Sequence, residues 1–318
     1  MTFPLMRGYD RINVVRDLDP VAAAQDAELG QRIRAHPKLF PAGSPDFGFA
    51  VQSGRTWHIG TSGGSDPEGS RHALASHLRR SAEREKDSEV RSAMLAAADR
   101  LDPEDGEQLA KDEWEIGDRR YRVIRIEKFT LIGGGVMEPP RATDAEPSED
   151  GRLLHDHLVD PLAPVGQWEA QLRLNLVGHL PIPGTVPEQV EAEARQAIQT
   201  HPGVILLPPS FTVVEIEGDS WKPFTGAHGP DEARHNLAAY FTEILPRFRE
   251  FQGDPPTPAE VDEWADAAKR IEAADGPEYA ALGRRFRTVR VSRYMRLGVD
   301  GPEAPRPSDQ DRYGWTPA

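Results

Sequence analysis

Apolar side chains along this chain change their spacing several times, and each change marks an element. In Arg11-Ile12-Asn13-Val14-Val15 polar and apolar residues alternate with the period of a half-buried strand. Asp19-Pro20 opens a helix, with Asp as cap and Pro at the first position, where a missing amide loses no partner; Asp66-Pro67 repeats the device. Phe47 and Trp57 sit in two short runs around Gly54, and Phe211 and Trp221 in two more around Gly218-Asp219, so both pairs read as hairpins. Thr257-Pro258-Ala259-Glu260 is a capping box, and Val261, Trp264, Ala268 and Ile271 follow it at helical spacing. The run from Glu113 to Phe129 reads as two strands around the tight turn Gly117-Asp118. Its counterpart from Tyr279 to Tyr294 has EYAAL before Gly283 and predicts a shorter first strand.

These elements come twice. Arg119 to Asp144 and Arg284 to Asp309 align without a gap at an offset of 165, and nine of the 26 positions are identical. Weaker matches flank them: Arg11–Val15 with Arg173–Val177, His36-Pro37 with His201-Pro202, Phe47 and Trp57 with Phe211 and Trp221, and Arg71-His72 with Arg234-His235. The pattern predicts a tandem duplication. Each copy reads strand, helix, strand, strand, helix, helix, strand, strand. The boundaries are 8–147 for the first copy, 148–166 for a linker rich in Pro and acids, 167–309 for the second copy and 310–318 for a tail. Hairpin-paired strands with grouped helices predict an α+β fold with a mainly antiparallel sheet and about three helices per copy. Two such copies are expected to pack about a pseudo-twofold axis, by the logic of an isologous dimer.

Composition narrows the partners. A chain of 318 residues accommodates two ordinary domains, and a mean hydropathy of −0.59 with 29 prolines suits compact units joined by polar segments. With no cysteine, disulfides, thiol nucleophiles and thiolate metal sites are excluded. The start lacks the apolar run of a signal peptide and no stretch approaches the ~18 apolar residues of a membrane span, which predicts a cytoplasmic protein and no membrane partner. A net charge of −14 works against nucleic acid as a partner. Only six of the 38 basic residues are lysines, a bias that reads as a GC-rich genome.

Candidate chemistry centres on the repeated arginine strand. If Val123-Ile124 formed a bulge, Arg120, Arg122 and Arg125 would line one outer face, and Arg285, Arg287 and Arg290 the equivalent face, suited to bidentate binding of phosphate or carboxylate. The competing expectation is that these arginines pair with some of the chain's 52 acidic residues. His72 and His235 read as partly buried packing residues, and His36 and His201 as helix ends. His155-Asp156-His157 could offer two imidazoles but would need a third ligand, such as Asp160, and no metal site is expected. The glycines before Asp66 read as a capped turn, and no P-loop, nucleophile elbow, HExxH helix or GxGxxG motif is present. No catalytic residue and no cofactor is assigned. The segments Glu138–Asp144 and Glu303–Asp309 are held extended by proline and are expected to cover a sheet edge, of their own copy or of the other.

The Trp-containing hairpin, the RRYRVIR or RRFRTVR strand and the EPPRATD or PEAPRPSD tail together resemble a family of uncharacterised actinobacterial proteins, classed only as a domain of unknown function. The resemblance covers nearly the whole chain and implies no activity, cofactor or catalytic residue. The residues lead to a non-enzymatic binding or interaction protein that presents two similar surfaces to an unidentified protein or small anionic ligand. The alternative is an enzyme with its site between the copies. Arg122, Arg125, Arg71 and His72 occur in both copies, which favours paired binding; a pocket between the copies with convergent acids, bases and a shifted pKa would favour the enzyme.

Overall fold

The computed structural model describes residues 8–102 and 111–309. The first half holds β1 (Asn13–Val14), α1 (Pro20–Ala35), β2 (Lys38–Pro41), β3 (Asp46–Ser53), β4 (Thr56–Gly64), α2 (Pro67–Arg84), α3 (Ser88–Leu101), β5 (Glu113–Ile116), β6 (Arg119–Gly133) and β7 (Val136–Met137). A connecting stretch carries α4 (Glu149–Arg152), β8 (His157–Val159) and β9 (Pro164–Val165). The second half holds α5 (Gln167–Val177), α6 (Glu188–Thr200), β10 (Gly203–Glu217), β11 (Ser220–Ala227) and α7 (Pro230–Ala239). From α7 the chain passes through a π-helical turn, Tyr240–Ile244, into α8 (Leu245–Phe251), then α9 (Pro258–Glu272), β12 (Glu278–Ala281) and β13 (Arg284–Leu297).

Local signals explain most of these bounds. Asp19 accepts from the amides of Val21 and Ala22, Asp66 from Gly69, and Thr257 and Glu260 close their capping box. His36 and His201 cap the C-termini of α1 and α6. Gly54 and Gly218, at φ +61° and +62°, take the left-handed turns of the two Trp hairpins.

Three expectations are corrected. Arg173–Val177 is helical, because it ends α5, whose buried Ala170, Leu172, Arg173, Leu176 and Val177 follow a helical stripe; five residues are too short a window to separate the two periods. Arg11–Val15 contributes only the two residues of β1, paired parallel with β9. β12, expected to be short, has the same four residues as β5. The stretch read as a linker also adds β8 to the sheet beside β4. The expected tail 310–318 lies outside the described residues.

The strands form an eleven-stranded antiparallel sheet in the order β11-β10-β13-β6-β3-β4-β8, with β12 added to β13 and β2, β5 and β7 to β6. At its middle Ser292 faces Phe129, Arg293 faces Lys128 and Tyr294 faces Glu127. Arg293 and Lys128 are 165 positions apart, so β6 and β13 meet at corresponding points. Each half has a core of its own, Leu74, Leu78, Met94 and Tyr121 in the first and Phe211, Phe241, Trp264 and Phe286 in the second. Two further clusters draw on both halves: Ile124 and Ile126 with Ile205 and Met295, and Leu29 and Phe129 with Leu176 and Tyr294. Among the described residues no helix is long and apolar enough to cross a membrane.

Candidate functional site

The arginines lie on β6 and β13. Paired with β3, β6 runs without a register shift from Arg119 to Ile126, so Val123-Ile124 is not a bulge. Side-chain alternation is kept, with Arg120 and Arg122 on one face and Arg125 on the other. Both faces are covered: Tyr121 and Val123 join the core under α2 and α3, while Ile124 and Ile126 pack with Trp57 and Met295. Val and Ile stand side by side because the strand is buried on both sides. The single outer row of arginines therefore does not form.

Most of these arginines are ion-paired. Arg120 and Arg122 both reach Glu113, at 2.5 Å, and Arg122 also reaches Asp300 at 2.9 Å; the two guanidinium groups lie 5.7 and 5.4 Å from the Trp57 ring. Arg287 pairs with Glu278, which corresponds to Glu113, and Arg285 is exposed with no ion pair among the described residues. Arg125 pairs with Asp309 at 2.8 Å and with Glu127; Arg290 pairs with Asp144 at 3.0 Å and donates to Ser292 Oγ at 2.6 Å.

The last two pairs are exchanged between the halves. In each tail the Arg side chain bonds the Glu three residues before it, at 2.7 Å, and its amide bonds the Asp three residues after it, at 2.8 Å. Asp309, from the second half, meets Arg125 on β6; Asp144, from the first, meets Arg290 on β13. The backbone follows suit, with Arg125 N donating to Glu303 O at 3.0 Å and Arg290 N to Glu138 O at 2.8 Å. Each tail is fastened to a helix of its own half, where Glu28 on α1 accepts from the amides of Ala142 and Thr143 and Glu193 on α6 accepts from Ser308. The tails thus cover the other half's strand.

A cavity lies beside each exchanged pair. The first, about 400 Å³, is bounded by α1, the first tail and strands β10 and β13. The second, about 720 Å³, is bounded by α6, the second tail, β2, β3 and β6. Arg141, Asp144, Arg290, Ser292 and Arg293 in the first stand 165 positions from Arg306, Asp309, Arg125, Glu127 and Lys128 in the second.

The electrostatics of the two differ. Lys128 pairs with Asp46 at 2.5 Å. Arg293 is only 2% exposed, its Nε donates to the Pro208 carbonyl at 2.7 Å, and no carboxylate among the described residues comes within ion-pairing distance. Burial pulls its pKa below the usual guanidinium value against the more distant Asp46. The other charges lining the first cavity are committed. Arg141 is bound to Glu138, Arg290 to Asp144 and Glu169 to Arg173, and Asp26 accepts from the amides of Trp168 and Glu169 at the start of α5. His228 also lines this cavity; its Nδ1 is buried without a partner among the described residues, and burial keeps its pKa below the histidine norm.

Of the sequence candidates, Arg290 and Arg125 reach these cavities, and Arg120 lines a separate shallow cleft beside Trp57. His72 and His235 are exposed, against Asp102 and Glu272, not partly buried, because they sit on the solvent face of their helices. Asp156 of the His-Asp-His run faces His58, and among the described residues no group of three acids or histidines could hold a metal. Sequence reasoning missed Arg293. Its signal was a repeat mismatch: Asp46 precedes Phe47, whereas Ser210 precedes Phe211, so one of two aligned cations has lost its acid.

No curated protein and no solved structure matches the chain. A family model covers residues 19–312, and the chain belongs to that family, the family of unknown function DUF5954.

Proposed function

We propose that the chain is a tandem duplication of one α+β unit about a pseudo-twofold axis, and that it binds a small anionic ligand, without catalysis, in the cavity beside Arg290. The observation that carries the reading is Arg293, a buried cation with no carboxylate partner among the described residues. Leaving such a charge unpaired is costly, and a carboxylate or phosphate monoester seated against it would remove that cost. Leu29, Leu172, Leu207 and Phe211 line the same cavity and suit a compact apolar body behind the anionic head. Of the six arginines on the two strands, Arg290 is the one that fits this role, as a second donor whose charge is already shared with Asp144.

Calorimetric titration of the protein with benzoate, phenyl phosphate and inorganic phosphate tests the reading. Arg293→Gln should weaken binding at least tenfold, since a hydrogen bond to a charged group contributes about 1.5–3 kcal/mol, while Arg285→Gln should change nothing. Equal binding by Arg293→Gln and the native protein would sink it. One observation favours an enzyme between the halves: the neutral imidazole of His228 in the same cavity. Release of phenol from phenyl phosphate or phenyl acetate that His228→Gln abolishes would put the enzyme first.

A further inference from the structure

The second cavity stands at the corresponding place and offers different chemistry. Its apolar wall is larger, with Phe40, Phe47, Ile182, Val186, Val190 and Ala194 drawn from β2, β3, the α5–α6 connection and α6. Phe40 and Ile182 are exposed, as residues at an opening would be.

Every cation lining it is already answered. Lys128 holds Asp46 at 2.5 Å, Arg125 holds Asp309 at 2.8 Å and also Glu127, and Arg306 holds Glu303 at 2.7 Å. Arg296 spends its guanidinium on the carbonyls of Leu176, Val177 and His179, at 3.1, 3.1 and 3.2 Å, where α5 ends. An incoming anion would meet three cations already shared with carboxylates and a fourth, Arg296, enclosed by three carbonyls, and an incoming cation would find those carboxylates taken.

Besides Arg296 Nε, buried without a hydrogen bond among the described residues, two polar groups remain. Tyr294 is 2% exposed, lines the cavity, and its hydroxyl makes no hydrogen bond among the described residues. The His179 side chain likewise has no hydrogen bond among them, and burial, outweighing Glu127, keeps its pKa below the histidine norm. A buried phenol without a partner is an open place for one hydrogen bond.

We infer that the second cavity is a separate binding site for an uncharged, largely hydrocarbon molecule with a single hydroxyl or carbonyl head, which Tyr294 and His179 receive. The inference does not depend on the anion site, because the two cavities share no lining residue.

The test is a fluorescence titration of the full-length protein with Nile red, followed by displacement with 1-hexanol, 1-octanol and 1-decanol. Apparent affinity should rise about tenfold for each two carbons, as burial of methylene groups dictates. Tyr294→Phe should weaken the alcohols at least threefold. Val190→Trp, at a half-buried position that a larger ring can occupy without refilling the core, should weaken Nile red at least tenfold, as should Ala194→Phe. Benzoate binding should survive both filling variants. Native-like Nile red affinity in a folded Val190→Trp protein would overturn the inference, as would displacement by octanoate as effective as by 1-octanol.

Discussion

The two cavities are built alike and lined differently. Each lies under a tail from one half and against an arginine of the other, yet the pair Lys128–Asp46 in the second becomes Arg293 alone in the first, and Glu127 becomes Ser292. The tail turns and exchanged ion pairs are present in both halves, as a framework must be, whereas the differences fall on side chains facing the cavities. What the two halves share holds the molecule together; where they differ is where ligands are to be sought. This is the inverse of the expectation from the arginine strand, where the residues common to both halves are themselves the candidate site.

The largest test of that contrast is to break the framework on each side. Arg125→Met strips Asp309 of its ion pair and leaves Glu127 only Arg306, at 3.2 Å, and removing one partner of a buried pair costs about 3–5 kcal/mol, so a loss near the top of that range is expected. Arg290→Met strands only Asp144 and should lie near the bottom of it. Denaturant midpoints at unchanged slope measure both, and equal losses would show that Glu127 adds nothing to the second site. The field around these groups agrees with the order. Burial opposes ionisation of Glu127, but Arg125 and Arg306 outweigh it and hold its carboxyl below the usual range, whereas at Arg290 burial and the nearby Arg141 lower the guanidinium pKa.

Acid should then separate the private cores. His77 packs against Phe49 and Tyr121 in the first half, and burial, helped by the fields of Arg80, His155 and Arg119, lowers its pKa from 6.5 to about 4. Between these values the unfolded chain binds a proton that the folded one does not. The contribution of His77 to stability is therefore fully present above pH 6.5 and is lost as pH drops towards 4, by about 2 kcal/mol after allowance for partial exposure. Among the described residues no histidine makes a ring contact in the core of the second half. Urea midpoints from pH 4 to 7 should be flatter for His77→Gln than for the native chain, and parallel curves would remove His77 as the cause.

How far the sequence disclosed this follows from what each signal encodes. Caps and hairpin turns are local, so Asp19, Asp66, Thr257, Gly54 and Gly218 could be read directly. The composition also made internal pairing of the arginines a reasonable expectation. It could not say which carboxylate, because Arg125 with Asp144 and Arg125 with Asp309 are the same chemistry, and only the path of the chain across the β6–β13 seam selects the exchanged partner. The expected bulge fails for a related reason: Val123-Ile124 breaks the alternation of a one-sided strand, but burial on both faces, which depends on the core shared by the halves, leaves no need for one.

The finest test swaps the two cations at the centre of the seam. Arg293 is buried without a carboxylate partner, so Arg293→Met removes a desolvated charge and leaves no acid behind; a gain of about 1 kcal/mol is expected in the absence of ligand. Lys128→Met deprives Asp46 of its partner, and since that pair is partly exposed the loss should be about 1 kcal/mol. Opposite signs at two aligned positions of one seam, measured by thermal or denaturant midpoints, would establish that one cation serves the fold and the other is held for a ligand. A loss at both would mean that Arg293 earns its place through the Pro208 carbonyl and its packing alone, and the anion site would lose its foundation.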